Sequence, residues 1–194
     1  MLLSYDPQLH VVLGPPSTGK TALIREVVTK GNFKPLFLDL RTGQFDSPKN
    51  LYNSISMQFK PFFTEQKELL KKILSEPDLK AKFPYFFELN IKLFDKKKTE
   101  ITSSDVSELL TEIAHALPKW TIWHGDYAPP PILIIDEANL LSQLGDSSQE
   151  GAVLLKSFLN WLVLNTKQEN HFHAVLTSSD PFFLNWITDR KSIL

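Results

Sequence analysis

Cysteine is absent from this chain of 194 residues. Its absence excludes disulfide bonds, cysteine nucleophiles and thiolate-bound metals, and is expected of a protein in a reducing, intracellular compartment, organelles included. Long apolar segments are lacking as well. The first residues form neither a positively charged leader nor an apolar signal core, and no later run reaches the length of a membrane-spanning helix. We therefore expect no membrane span.

Neither sign of charge dominates. The chain has 21 Lys+Arg against 22 Asp+Glu, a formal net charge of -1, so no overall field draws it to nucleic acid or to an anionic membrane. Arginine is scarce, with only Arg25, Arg41 and Arg190. The hydrophobic content of 42% is ordinary for a globular protein, and the length suits one domain over residues 1–194.

The most specific pattern is GPPSTGKT at positions 14–21. It fits G-x-x-x-x-G-K-[ST], the phosphate-binding loop that joins a strand to a helix. Residues 9–13 before it are apolar enough for a buried strand, and residues 22–30 after it carry apolar side chains at helical spacing. The loop therefore stands in the structural context that this motif requires.

The residue types of this loop suit the binding of phosphates. Gly19 lets the backbone approach phosphate oxygens, Lys20 brings a mobile charge to the β- and γ-phosphates, and the Thr21 hydroxyl is a hard ligand for Mg²⁺. Because proline has no N–H, the backbone donors come from position 17 onward. The predicted nucleotide-binding residues of the loop are Gly14, Pro16, Ser17, Thr18, Gly19, Lys20 and Thr21.

A second motif, ILIIDE at positions 132–137, is an apolar strand that ends in two acids. We expect Asp136 to face the magnesium shell and Glu137 to activate water for attack on the γ-phosphate. A small-metabolite kinase needs no hydrolytic base, so the pair favours hydrolysis over transfer to another substrate. Lys20 and Glu137 are thus the predicted catalytic residues, and Thr21 and Asp136 the predicted magnesium ligands.

The segments GPPSTGKT, ILIIDEANLL (132–141) and AVLTSSDPFF (174–183) resemble those of AAA+ ATPases, especially the archaeal-ATPase group near the STAND signalling ATPases. The resemblance implies an α/β, three-layer P-loop NTPase fold with helices around a parallel sheet in the order 5-1-4-3-2. It also implies ATP or ADP and Mg²⁺ as ligands. The chain reaches Leu194 about where a fifth strand should begin, so the family's lid and winged-helix domain are expected outside residues 1–194.

The resemblance implies two further features of the site. Ser17 stands where the family often has glycine. The fourth strand should end in a nucleotide sensor, for which Ser178 and Ser179 are the candidate nucleotide-binding residues. Their hydroxyls either report the γ-phosphate or orient the attacking water, or they cap the turn at Asp180-Pro181. No clear arginine finger can be named from the sequence, and Arg190 is only a candidate for that role.

Elsewhere, apolar spacing predicts helices. One begins at Ser47-Pro48, a second is capped by Thr64, a third covers 105–117 with Asp105 and Glu108 as a capping box, and a fourth covers 150–166. Residues 77–94 are rich in aromatics, which favours core packing or a partner contact over nucleic-acid stacking. Arg41 follows the second predicted strand on the ligand-binding side of the sheet, where a structural salt bridge is favoured over a role toward ligand.

The sequence therefore predicts magnesium-dependent ATP hydrolysis that drives a conformational switch or the remodelling of a protein or DNA partner, with a homo-oligomer as one form of the full-length protein. The alternative is a switch or scaffold module that binds nucleotide without turnover, in signalling or DNA maintenance.

Overall fold

The computed structural model describes residues 6–43, 45–95, 100–123 and 128–189, and Arg190 lies outside these ranges. Within them the sheet has four strands: β1 (Leu9–Leu13), β2 (Lys34–Asp39), β3 (Pro131–Asp136) and β4 (His173–Ser178). All neighbours pair in parallel, in the order β1-β4-β3-β2. This is the predicted order for strands one to four, and no fifth strand occurs in the described ranges.

The burial of the strands follows their composition. Every residue of β3 and β4 is buried, as expected of apolar runs in the middle of a parallel sheet. The outer strands of the described sheet, β1 and β2, are mostly half-buried.

Eight α-helices flank this sheet within the described ranges. They are α1 (Lys20–Lys30), α2 (Pro48–Ile73), α3 (Glu76–Lys82), α4 (Ser103–Ala116), α5 (Trp120–Trp123), α6 (Ser142–Ser147), α7 (Gln149–Val163) and α8 (Phe183–Asp189). Short 3₁₀ turns cover Leu40–Thr42, Ile91–Asp95 and Ala138–Leu141, and a π-helical turn at Leu164–Gln168 extends α7. The predicted α/β fold, a parallel sheet flanked by helices, is confirmed.

Helix α2 corrects one prediction. It runs unbroken through Pro61, whereas the sequence predicts a new helix at Thr64. The Thr64 hydroxyl instead donates to the carbonyl of Lys60 at 2.9 Å, inside the helix. An interior proline costs about 3 kcal/mol, but the fully buried Phe62 and Phe63 directly after it hold the helix against the core. Packing therefore outweighs the local signal.

The start of α4 corrects a second prediction. Its capping box is formed by Thr102 and Asp105 rather than by Asp105 and Glu108. The Asp105 carboxylate accepts the backbone N–H of Thr102 at 3.0 Å, and the Asp105 N–H donates to the Thr102 hydroxyl at 3.4 Å. The helix consequently begins two residues earlier than predicted.

The aromatic-rich segment belongs to the core. Phe83, Phe86 and Phe94 are buried, and the first two rings lie 5.8 Å from that of Trp123. Tyr85, by contrast, is 50% exposed. Core packing, one of the interpretations favoured for this segment, is therefore confirmed for these three phenylalanines. In the part of the chain that the structure describes, no helix is both long and apolar enough to cross a bilayer.

Candidate functional site

The candidate site lies at the carboxyl edge of the sheet. Parallel strands all end at the same edge, which is where open α/β sheets bind their ligands. Leu13 at the end of β1 pairs with Ser178 of β4, and Ile135 of β3 pairs with Leu176. The loop after β1, the acids after β3 and the hydroxyls after β4 therefore meet at one place.

The loop between β1 and α1 has the backbone of a phosphate cradle. Gly19 caps α1 in the left-handed region, with φ of 80°, and no side chain caps the N–H groups of the first turn. Free N–H groups at a helix start are a favourable setting for phosphate oxygens. Ser17 also has a positive φ, 61°, which is uncommon for a residue other than glycine. The serine thus occupies a backbone conformation that glycine adopts more readily.

Lys20, the first residue of α1, folds back over this loop. Its ammonium group donates to the carbonyls of Gly14 at 2.8 Å and Pro15 at 2.9 Å. The Thr18 hydroxyl donates to the same Pro15 carbonyl at 2.8 Å. These contacts fix the loop and hold a positive charge beside it, where phosphates would be bound.

Thr21 and Asp136 are brought together. The Thr21 hydroxyl donates to Asp136 Oδ2 at 2.8 Å, which joins the start of α1 to the end of β3. Asp136 is only 1% exposed. Hydroxyl and carboxylate oxygens are hard donors of the type that Mg²⁺ prefers, and Mg²⁺ usually adds phosphate oxygens and waters to one or two such ligands. The residues present therefore fit a magnesium site completed by a nucleotide.

Thr177, at the end of β4, is a site residue that the sequence reasoning missed in favour of the two serines after it. It is fully buried, and its hydroxyl donates to Asp136 Oδ1 and accepts the N–H of Glu137 at 3.2 Å. The signal that could have found it is strand order: once β4 lies beside β3, the residue opposite Asp136 is Thr177. One hydroxyl thus positions both acids of the motif.

Glu137 leaves β3 in a left-handed conformation, with φ of 54° and ψ of 50°. Its Oε2 accepts the Ser179 hydroxyl at 2.6 Å and the Ser179 N–H at 3.4 Å. Ser178 turns away from the acids: its hydroxyl donates to Asn139 at 3.0 Å and accepts the N–H of Asp180 at 3.0 Å. Of the two candidate serines, Ser179 contacts Glu137, whereas Ser178 caps the turn.

Arg41 forms the predicted salt bridge and one contact beyond it. Its Nε and Nη2 donate to the two carboxylate oxygens of Asp39 at 2.8 and 2.7 Å. Hydrogen bonding from Arg41 is the main reason that the pKa of Asp39 lies below its usual value. Nη2 also donates to Asp136 Oδ2 at 3.1 Å. Arg41 therefore links the end of β2 to the proposed magnesium ligand.

The profile of a protein family described as the ATPase domain predominantly from Archaea matches residues 2–194. The chain belongs to this family. It is similar to an uncharacterized ATP-binding protein of Methanocaldococcus jannaschii, with 24% identity over 213 residues that cover 100% of this chain and 54% of that protein. An uncharacterized ATP-binding protein of Pyrococcus abyssi is 24% identical over 190 residues, covering 96% of this chain and 52% of the relative.

A solved structure has the same fold. The Walker-type ATPase of Pyrococcus abyssi aligns with a TM-score of 0.57 and 20% identity, over 100% of this chain and 47% of its own. At this identity the likeness concerns the fold alone. The archaeal-ATPase group predicted from the motifs is confirmed, and the chain spans about half the length of the curated relatives it matches.

Proposed function

We propose that this ATPase-family domain binds ATP with Mg²⁺ and hydrolyses it, and that the cycle drives a conformational switch or the remodelling of a protein or DNA partner. The observation that carries the proposal is the 2.8 Å contact between Thr21 and Asp136, which unites the phosphate loop with the acidic strand end. Membership of an ATPase family and the ATP-binding names of the relatives support it.

In this proposal the loop holds the triphosphate. Backbone N–H groups from Ser17 to Thr21 surround the phosphates, and Gly14 and Pro16 shape the outer limb of the loop. Lys20 exchanges its contacts with the loop carbonyls for contacts with phosphate oxygens. Thr21 and Asp136 hold Mg²⁺, which when bound neutralises charge that develops on the phosphate oxygens.

Hydrolysis is assigned to Glu137. Its Oε2 is held by Ser179, while its Oε1 accepts no hydrogen bond from the described residues and is free to take a proton. As the water oxygen bonds to the γ-phosphorus, the bond to the β-phosphate oxygen breaks with its electron pair leaving on ADP, and the water proton passes to Oε1. Ser179, anchored after β4, keeps the carboxylate in place.

The test separates binding from turnover. Glu137→Gln should lower the single-turnover rate of phosphate release by about 10²–10⁴, the usual contribution of a general base, while ATP affinity stays near that of the wild type. Glu150→Gln is the matched control: it alters an exposed carboxylate in the first turn of α7 that accepts the N–H of Ser103 at 3.4 Å. Equal turnover by both variants would remove Glu137 from the mechanism. Tight ATP binding without turnover in the wild type would instead establish the scaffold function.

Two further expectations concern a lid over the site and a neighbouring subunit. In related ATPases a lid covers the site, and an arginine from a neighbouring subunit can contribute about a thousandfold or more to the rate. We propose that residues 1–194 bind nucleotide as a monomer but hydrolyse it slowly, and that assembly of a homo-oligomer raises the rate. Steady-state rates over a wide protein range, for this chain and a longer one, test this: fast turnover that does not vary with concentration would show that the 194-residue chain is sufficient.

A further inference from the structure

Arg41 is placed firmly for a surface side chain. Its side chain is 56% exposed, yet the guanidinium is held by a two-pronged contact with the Asp39 carboxylate. The backbone N–H of Arg41 also donates to Asp39 Oδ1 at 3.1 Å, which fixes the two residues relative to each other. A planar guanidinium held by two parallel bonds loses most of its freedom of rotation. Its free edge therefore points in a defined direction at the carboxyl side of the sheet.

That direction is toward the proposed nucleotide site. Arg41 Nη2 and the Thr21 hydroxyl bond to the same oxygen, Asp136 Oδ2, at 3.1 and 2.8 Å. The salt bridge with Asp39 already satisfies the charge of the arginine, so the second contact is not needed for pairing. The two N–H groups of Nη1 donate to none of the residues that the structure describes. They remain available to a ligand at the magnesium pair.

Resting on the proposed function, we propose that Arg41 is a nucleotide-binding residue supplied by the chain itself, and that its Nη1 group contacts the terminal phosphate of bound ATP. A guanidinium edge fits phosphate oxygens, and its positive charge offsets the repulsion between the triphosphate and the acids at 39, 136 and 137. The contact needs the γ-phosphate, so Arg41 makes the site distinguish ATP from ADP. Asp39 is the positioning residue for this contact.

A simpler role for Arg41 predicts the opposite sign. If the arginine only neutralised Asp136, it would compete with Mg²⁺ for that carboxylate. Its removal would then leave Asp136 freer for metal and would strengthen Mg-ATP binding. The proposed contact predicts weaker ATP binding, with ADP binding almost unchanged.

Calorimetric titration of the 194-residue chain with Mg-ADP and with Mg-AMP-PNP, an ATP analogue that resists hydrolysis, decides between the two. Arg41→Ala should weaken AMP-PNP about tenfold or more, as expected for the loss of a hydrogen bond between charged groups, and change ADP affinity less than about twofold. Arg25→Ala is the control. It removes an arginine that lies over the ring of Phe37, 4.3 Å from its centroid, and should leave the ratio of AMP-PNP affinity to ADP affinity unchanged.

Asp39→Asn tests the positioning role. It keeps Arg41 but removes a charged anchor, so the AMP-PNP to ADP affinity ratio should fall by less than in Arg41→Ala. The proposal is overturned if Arg41→Ala weakens both nucleotides equally, weakens neither, or tightens AMP-PNP. Absence of ADP binding by the wild-type chain would overturn the proposed function instead, so the two failures are distinguishable.

Discussion

The loss of one hydroxyl, in Thr177→Val, should disturb both acids of the site. Valine keeps the shape of the buried threonine but removes the bond to Asp136 Oδ1 and the acceptor of the Glu137 N–H. Asp136 keeps Thr21 and Arg41 as donors, both on its other oxygen. The carboxylate can then rotate, and the part-buried N–H of Glu137 is left without its partner.

The size of the effect follows from these two bonds. A hydrogen bond to a charged group contributes about 1.5–3 kcal/mol, and a buried group without a partner costs about 1–3 kcal/mol. Relaxation of the structure and the greater hydrophobicity of valine offset part of this sum, so the free energy of unfolding should fall by roughly 3 kcal/mol. For a domain of this size about 1 kcal/mol shifts the melting temperature by about 2–4 °C. We expect the melting temperature to fall by about 6–12 °C, together with weaker Mg-dependent ATP binding.

Thermal unfolding followed by circular dichroism measures the shift, with two controls. Thr177→Ser retains the hydroxyl and should melt close to the wild type. Thr166→Val removes an equally buried hydroxyl that donates to the neutral carbonyl of Leu162 at 2.8 Å. It should lower the melting temperature by less than Thr177→Val does. If Thr177→Val melts no lower than Thr166→Val, or if serine fails to restore stability, the hydroxyl does not hold the acids as argued.

Three other changes have defined outcomes. Lys20→Ala should abolish most of the rise in melting temperature that ATP produces, because it removes the ammonium held beside the loop; a rise equal to that of the wild type would exclude the assignment. Gly151→Ala should lower the free energy of unfolding in a urea titration by about 1–3 kcal/mol, since the new Cβ would lie 2.1 Å from the carbonyl oxygen of Leu144, whereas helix propensity alone predicts stabilisation. Burial lowers the pKa of His171 to about 4. Between this pH and about 6.5, the unfolded chain therefore binds a proton at His171 more readily than the folded chain does. The free energy of unfolding should therefore decline as the pH falls through this window. The urea midpoints measured at the two ends of the pH window should differ less for His171→Gln than for the wild type.

The parts of the fold that could be predicted are those fixed by local pattern. The apolar runs before Gly14 and Asp136 have the length and composition of buried parallel strands, and the glycine-rich loop requires a strand before it and a helix after it. The failure at Thr64 has the opposite cause. A threonine soon after a proline resembles a helix start, but the continuation of α2 depends on the burial of phenylalanines by elements distant in sequence.

The same distinction applies to the site. Thr21 and Asp136 could be paired from their motifs, because one motif places Thr21 at the start of the helix that follows β1 and the other places Asp136 at the end of β3, both at the same edge of the sheet. The predicted strand order already places β4 beside β3, but Thr177 also required the register of the two strands, which no local pattern contains. The difference between Ser178 and Ser179 required the direction in which the chain leaves β4, since adjacent side chains there point toward Asn139 and Glu137, respectively.

Asp136 is the junction through which the parts of the site affect one another. Its two oxygens receive donors from α1, from β4 and from the turn after β2, and the Thr177 donor also holds the Glu137 backbone. A change at Arg41 therefore alters the carboxylate that Thr177 orients, and a change at Thr177 moves Glu137. Residues that share one partner in this way do not contribute independently, so the energies of single substitutions at Arg41 and Thr177 should not add. Arg41 and Thr177 both belong to one network of hydrogen bonds around Asp136. Only the double variant, compared with the two single variants, measures the coupling energy between them.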